Sequence, residues 1–203
     1  MPPGTTGRTV LETDRLILRT FTEADVDALV ELDSDPEVTR FITNGEATPR
    51  DVVVTEILPA FLRHYETYRG YGFWAAIERA TGEFVGWFHL RPNPDHPVAD
   101  EPELGYRLRR SAWGKGYATE GSRALIDRAF TELGAARVYA ETMTVNIGSR
   151  RVMEKSGLRF VRTFHAEWPV RIPGDEHGDV EYAITRAEWE EDRRTRPGGE
   201  RAP

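Results

Sequence analysis

Two stretches of this 203-residue chain carry residue types at spacings that can do chemistry. The first is Trp113-Gly114-Lys115-Gly116-Tyr117-Ala118-Thr119, where a strand-like run gives way to a helix-like one. Two glycines let the backbone approach a ligand closely, and the first turn of the following helix offers unpaired N–H groups at its positive dipole end. Lys115 adds a point charge, so the stretch has the makings of a phosphate cradle. A P-loop would need Ser or Thr after the lysine, and Gly116 stands there instead. The dinucleotide fingerprint G-x-G-x-x-G fits at Gly114 and Gly116, with Glu141 near the position of a ribose-binding acid, but Thr119 replaces its third glycine. The second stretch is Asn146-Ile147-Gly148-Ser149. Its Asn suits a helix N-cap, and its Ser, one turn in, either bonds back to a carbonyl or presents a hydroxyl.

The elements that must position these groups can be read from periodicity. Leu16, Leu18 and Phe21 predict a first strand, and Thr22 caps a helix that carries Asp25 in its first turn, runs through Leu32 and is stopped by Pro36. Val53, Ile57, Phe61 and Tyr65 predict a helical region from Pro49 to Tyr68 that Pro59 kinks or divides. Phe73 to Glu78 and Phe84 to Leu90 flank Arg79-Ala80-Thr81-Gly82, a hairpin signal. A Pro-rich loop leads to a strand from Glu103 to Arg109, the glycine loop, a helix ending near Leu133 with Gly134 as its stop, and a strand from Arg137 to Thr142. Strand, crossover helix, strand implies a parallel pair inside a mixed sheet. A short helix over Asn146 to Ser156, closed by Gly157, precedes a last strand pair, Leu158 to Phe164 and Val180 to Thr185. The long connection between them suits a binding loop.

Composition narrows the function classes. One domain is expected over 13–189, with a flexible N-terminus over 1–12 and a flexible charged tail over 190–203. With no cysteine, disulfides, thiolate metal ligands and an acyl-thiol enzyme intermediate are excluded. The five histidines show no paired spacing, so no metal site is expected. A net charge of −7 argues against nucleic-acid binding and suits a cationic partner, for which the acidic segments Asp95 to Glu103 and Asp175 to Glu181 could line an entrance. No apolar run reaches membrane-spanning length, and Met1 to Val10 lacks an apolar core, so cytoplasm is the default location.

Read together, Thr13-Asp14-Arg15-Leu16-Ile17-Leu18-Arg19, Glu103-Leu104-Gly105-Tyr106, Trp113 to Glu120, Asn146 to Gly157 and Glu181 to Thr185 resemble, in order, the GNAT superfamily of acetyl-CoA-dependent N-acetyltransferases. Within it they are similar to the branch that acetylates ribosomal-protein N-termini. The resemblance implies an α/β fold with a central mixed, mostly antiparallel twisted sheet, helices on both faces and a splayed parallel strand pair forming the cofactor cleft. It implies acetyl-CoA as cofactor, held by Tyr106, Leu108, Trp113, Gly114, Lys115, Gly116, Tyr117, Ala118, Thr119, Asn146 and Ser149, with the N–H near Leu108 polarising the thioester carbonyl. Trp113 departs from the Arg or Gln usual there, which shifts the pyrophosphate toward backbone amides and Lys115.

Direct transfer to an amine sets the remaining roles. The leaving thiol has a pKa of about 8.5, so a hydroxyl donor assists its departure. Superfamily members that use a Tyr for this place it at the position of Met153, which cannot donate, and the resemblance assigns the acid role to Ser149 instead. The attacking amine must be neutral, which calls for a base. Glu103 is the first candidate and Glu120 the second, the latter also being a favourable acid in a helix's first turn. The acceptor is a protein N-terminus or a small-molecule amine, and a homodimer is plausible from the family. The alternatives are a non-enzymatic acyl-CoA sensor and a dinucleotide-binding oxidoreductase.

Overall fold

The computed structural model describes residues 7–92, 100–167 and 170–195. Its strands are β1 (Thr9–Glu12), β2 (Leu16–Thr20), β3 (Gly72–Glu78), β4 (Phe84–Arg91), β5 (Glu103–Leu108), β6 (Arg137–Met143), β7 (Arg159–Phe164) and β8 (Asp179–Thr185). They form one sheet in the order β1-β2-β3-β4-β5-β6-β8-β7, antiparallel at every junction except β5–β6. The helices are α1 (Val26–Leu32), α2 (Pro36–Thr39), α3 (Arg50–Val52), α4 (Leu58–Thr67), α5 (Tyr117–Thr131), α6 (Ile147–Lys155) and α7 (Arg186–Thr195). Among the described residues no helix is long and apolar enough to cross a membrane.

Strand alternation divides the side chains between two faces. On one, Leu16, Leu18, Trp74, Phe88, Leu90, Leu104, Leu108, Val138 and Ile184 are buried in a cluster with Leu125, Ile126 and Phe130 of α5. On the other, Phe21, Ala75, Ile77 and Trp87 pack with Leu29 and Leu32 of α1 and Leu58 and Phe61 of α4. Two layers of helix therefore sandwich the sheet. A Cβ on Gly121 would run into the Phe88 ring, so α5 lies close against β4 only because that position is glycine.

Several expectations are met with refinements. Thr22 donates its backbone N–H to the Asp25 carboxylate (2.8 Å), opening a 3₁₀ turn over Glu23–Asp25 that leads into α1. Asp25 also takes two bonds from the buried Arg19 guanidinium (2.6 and 2.9 Å), which locks α1 to β2. Pro36 does not stop that helix. The chain has already turned at Asp33, and Pro36 opens α2, where its missing N–H costs nothing, under an Asp35 cap that accepts from Glu37 N–H (3.0 Å). Pro59 divides the second helical region as expected: a π turn over Val53–Ile57 precedes it and α4 starts beside it.

Two boundaries differ from the sequence reading. Thr9–Glu12, inside the segment expected to be flexible, is strand β1 and pairs with β2, because its backbone finds partners on an otherwise open edge. Residues 190–195, placed in the expected tail, continue helix α7, whose Trp189 packs on Phe130 at 5.2 Å between ring centroids and donates to Asp127 (2.6 Å). Asp95 and Pro169 lie outside the described residues.

The β5–β6 junction positions the site. β4 and β5 pair over six residues and β6 and β8 over seven, but β5 and β6 meet only at Glu103↔Tyr139. Beyond that pair the two parallel strands part, leaving a V whose edges carry backbone groups not paired across the gap.

Candidate active site

The glycine loop sits at the open end of the V. A 3₁₀ turn over Arg110–Ala112 follows β5, then Gly114 and Gly116 take positive φ values of 73° and 85°, and α5 starts at Tyr117. Gly116 occupies the N-cap in the left-handed region, with no side chain to fill the mouth of the helix. Among the described residues, no hydrogen bond uses the N–H groups of 114–119; the first helical bond is Glu120 N–H to Gly116 O (3.0 Å). Six amides and Lys115 thus face one exposed turn, and a Cβ built on Gly114 meets nothing within 4 Å. That donor set fits a pyrophosphate. Trp113 is 47% exposed and donates its indole N–H to Leu108 O (2.9 Å), folding the loop back onto β5.

A brace behind this loop is a feature whose residues the sequence displayed without revealing their purpose. Arg15 donates to Lys115 O (2.9 Å), ion-pairs with Glu120 (2.6 Å) and lies over the Tyr117 ring at 4.7 Å. Glu120 also accepts from the Thr13 hydroxyl (2.6 Å) and the Arg15 N–H (2.9 Å). Burial raises the Glu120 pKa, but these bonds and the Arg15 charge outweigh it and hold the carboxyl below its ordinary value. The oxygens of Glu120, the second candidate base of the sequence reading, are thus engaged by the β1–β2 turn.

Within the V, the strand geometry aims backbone donors inward. Arg109 N–H bonds Val85 O on β4 (2.9 Å), so alternation turns the Leu108 N–H the other way, toward β6. On the α5 face, Tyr106 extends its hydroxyl to Ser149, 3.0 Å from both Ser149 O and Ser149 Oγ. Asn146 caps α6 by accepting from Ser149 N–H (3.2 Å) and donates to Thr142 Oγ1 (3.1 Å), which fixes Ser149 beside the gap. Burial raises the Tyr106 pKa, so its phenol keeps its proton.

The opposite face of the V is ionic. Glu103 pairs with Arg91 (2.8 Å) and lies 3.7 Å from His89 Nε2. Burial pushes the Glu103 carboxyl up, while His89 and Arg91 pull it down, and the net shift is downward. His89 is buried and its ring lies over Gly105, where a Cβ would come within 2.5 Å of it. Burial lowers its pKa and keeps the imidazole neutral near pH 7. Glu181 bridges Arg137 and Arg162 (2.6 Å to the latter). Glu141, next along this face of β6 after Tyr139, is raised to about 7 by burial and by the charges of Glu103 and Glu181. A cavity of about 380 Å³ lies elsewhere, between α1, α2 and residues 109–111, where the ion pairs Arg109–Glu31 (2.7 Å) and Arg110–Asp35 (3.2 Å) already satisfy its charges.

A mixed sheet with a parallel pair that parts beside a glycine loop and helix N-terminus defines a class, and residues 15–159 match the Acetyltransferase (GNAT) domain. The chain belongs to that family and is an acetyl-CoA-dependent N-acetyltransferase, with the mixed α/β fold expected. It is 39% identical over 184 residues to the FsC-acetyl coenzyme A-N(2)-transacetylase of Aspergillus fumigatus, covering 88% of this chain and 77% of the relative. A probable acetyltransferase structure superposes with a TM-score of 0.75 at 23% identity, over 92% of this chain and 100% of its own. RimL, the ribosomal L7/L12 alpha-N-protein acetyltransferase in complex with coenzyme A, superposes with a TM-score of 0.72 at 18% identity, over 88% and 98% of the two chains. The family removes the oxidoreductase and sensor alternatives.

Proposed function

We propose that the enzyme transfers acetyl directly from acetyl-CoA to the primary amine of a small cationic molecule, without an acyl-enzyme. The observation that carries this reading is the division of labour across the V: hydroxyl donors Ser149 and Tyr106 lie on the α5 face, and the carboxylates Glu103, Glu141 and Glu181 lie on the other. Bound acetyl-CoA supplies an electrophilic thioester carbon and a thiolate leaving group. Residues 114–119 hold its pyrophosphate, the β5 edge and Asn146 hold its pantetheine amides, and Leu108 N–H polarises the carbonyl. Ser149 gives its proton to the departing sulfur and regains one from solvent, while Tyr106, 3.0 Å away, holds its hydroxyl by a hydrogen bond. Glu103, kept ionised by His89 and Arg91, stands on the acceptor side as a fixed charge.

A small-molecule acceptor is favoured over a protein N-terminus because the name of the 39% identical relative carries FsC and N(2) and no protein, whereas the protein-acetylating likeness is one of fold at 18% identity. The test is thiol release from acetyl-CoA against a panel of amino-acid-like amines, polyamines, aminoglycosides and N-terminal peptides. With no cysteine in the chain, the protein adds no thiol background. Release dependent on small amines is expected; release only with peptides would reassign the acceptor, and none with any amine would defeat the reading. Cytoplasmic location and homodimerisation belong to the same proposal, checked by fractionation and by mass in solution.

A further inference from the structure

We propose that Glu141 is the catalytic base, taking a proton from the acceptor's ammonium group beside the fixed negative charge of Glu103. The inference rests on the acetyl-transfer reading above. Register places the three carboxylates: Tyr139 is level with Glu103 at the single β5–β6 pair, and Glu141, two residues on, is level with Glu181 of β8. Strand alternation puts Tyr139 and Glu141 on one face, so Glu141 stands just past the apex where the strands begin to part.

Three observations separate Glu141 from its neighbours. Among the described residues no hydrogen bond or ion pair engages its carboxylate, whereas Glu103 is held by Arg91 and Glu181 by Arg137 and Arg162. It is half enclosed by its neighbours yet keeps one side open to solvent, while Glu181 is buried, so an incoming amine can reach it. One strand beyond β5, His89 is buried over Gly105 with Nε2 3.7 Å from Glu103, the neutral imidazole adding a polar wall on this face. The charged groups around Glu141 are Glu103 of β5, with Arg91 and His89 of β4 behind it, Glu181 and Asp179 of β8, and Arg162 of β7. Burial and this mostly negative surrounding raise its pKa to about 7, which suits a base working near neutrality.

The step balances as follows. Glu141 removes one proton from R–NH₃⁺, the freed lone pair forms the C–N bond at the thioester carbon, and the C–S bond breaks on collapse. The sulfur gains a proton through Ser149, the nitrogen loses its second proton to water, and Glu141 later releases its own to solvent.

The experiment is the pH profile of kcat/KM with an active amine for the wild type, Glu141→Gln and Glu103→Gln. The wild-type acid limb should bend near pH 7. Glu141→Gln should lose about 100-fold at pH 7 with the KM for acetyl-CoA unchanged, lose the limb, and recover with an acceptor amine that is already neutral at that pH. Glu103→Gln should keep the limb and move it to lower pH, because a negative neighbour of Glu141 is gone. A wild-type limb in Glu141→Gln, or its loss in Glu103→Gln, overturns the proposal. A ¹³C carboxyl titration of Glu141, read as the wild type minus Glu141→Gln, needs no turnover. A midpoint near the ordinary 4.5 would overturn the proposal on its own, whereas absence of turnover in the wild type would strike the parent reading instead.

Discussion

The two ends of the cleft are built in opposite ways. At the coenzyme end, six consecutive residues, 114–119, present backbone amides from a turn that two positive-φ glycines make possible. At the other end, His89, Glu103, Glu141, Arg162 and Glu181 come from five strands, and the charges of Glu103, Glu181 and Arg162 act on the ionisation of Glu141. The first end is a feature of local geometry, tolerant of side-chain identity except at the glycines. The second is a mutual arrangement whose properties exist only once the sheet is assembled.

The contrast can be broken most severely at the glycine loop. Gly116→Asp forces a residue with a Cβ into φ 85°, against the Arg15 guanidinium at 3.3 Å, and sets a carboxylate at the proposed pyrophosphate cradle. Coenzyme A affinity should fall by about 100-fold or more while the fold survives, as calorimetry would record. Ser149→Ala is next. Turnover should drop about 100-fold with acetyl-CoA binding retained, and an unchanged kcat would leave Tyr106 or water as the proton source.

Arg15→Ala sharpens the comparison by asking whether the local cradle stands alone. Removing its bond to Lys115 O and its pair with Glu120 should raise the KM for acetyl-CoA about tenfold and leave kcat nearly unchanged. If kcat falls instead, the brace reaches the chemistry. The smallest effect is on stability. Glu141 has a folded pKa raised from 4.5 to about 7, so it binds its proton more tightly folded than unfolded. Its charge therefore costs stability progressively as pH rises from about 4.5 to 7. Glu141→Gln should raise Tm at pH 8 and leave it nearly unchanged at pH 4; an equal shift at both would mean that packing, not charge, is responsible.

Much of the coenzyme end was legible because its determinants are contiguous. Gly-Lys-Gly before a helix, Asn146 as a cap, Gly157 as a stop and the Arg79–Gly82 hairpin each follow from the φ/ψ needs or bonding habits of one or two residues. The bonding of Glu120 was not legible for a related reason: its position in a first turn was visible, but its partners Thr13 and Arg15 are more than a hundred residues away. β1 was missed because a four-residue edge strand needs only a free neighbour, and that neighbour is supplied by the sheet. Glu141 was visible as a residue and as a strand position, yet nothing in its surroundings along the chain announces a carboxyl that titrates near neutrality.

The sequence by itself determined the order of elements, the two-glycine turn before α5, the cap that fixes Ser149 and the exclusion of a cysteine intermediate, because each depends on local backbone preference or on residue type alone. Tertiary structure decided where the parallel strands part, which hydroxyls meet across the gap and which carboxylate is left unpaired. Those outcomes depend on burial and on Coulomb interactions between groups brought within a few ångströms from distant parts of the chain, and both come into being only with the fold.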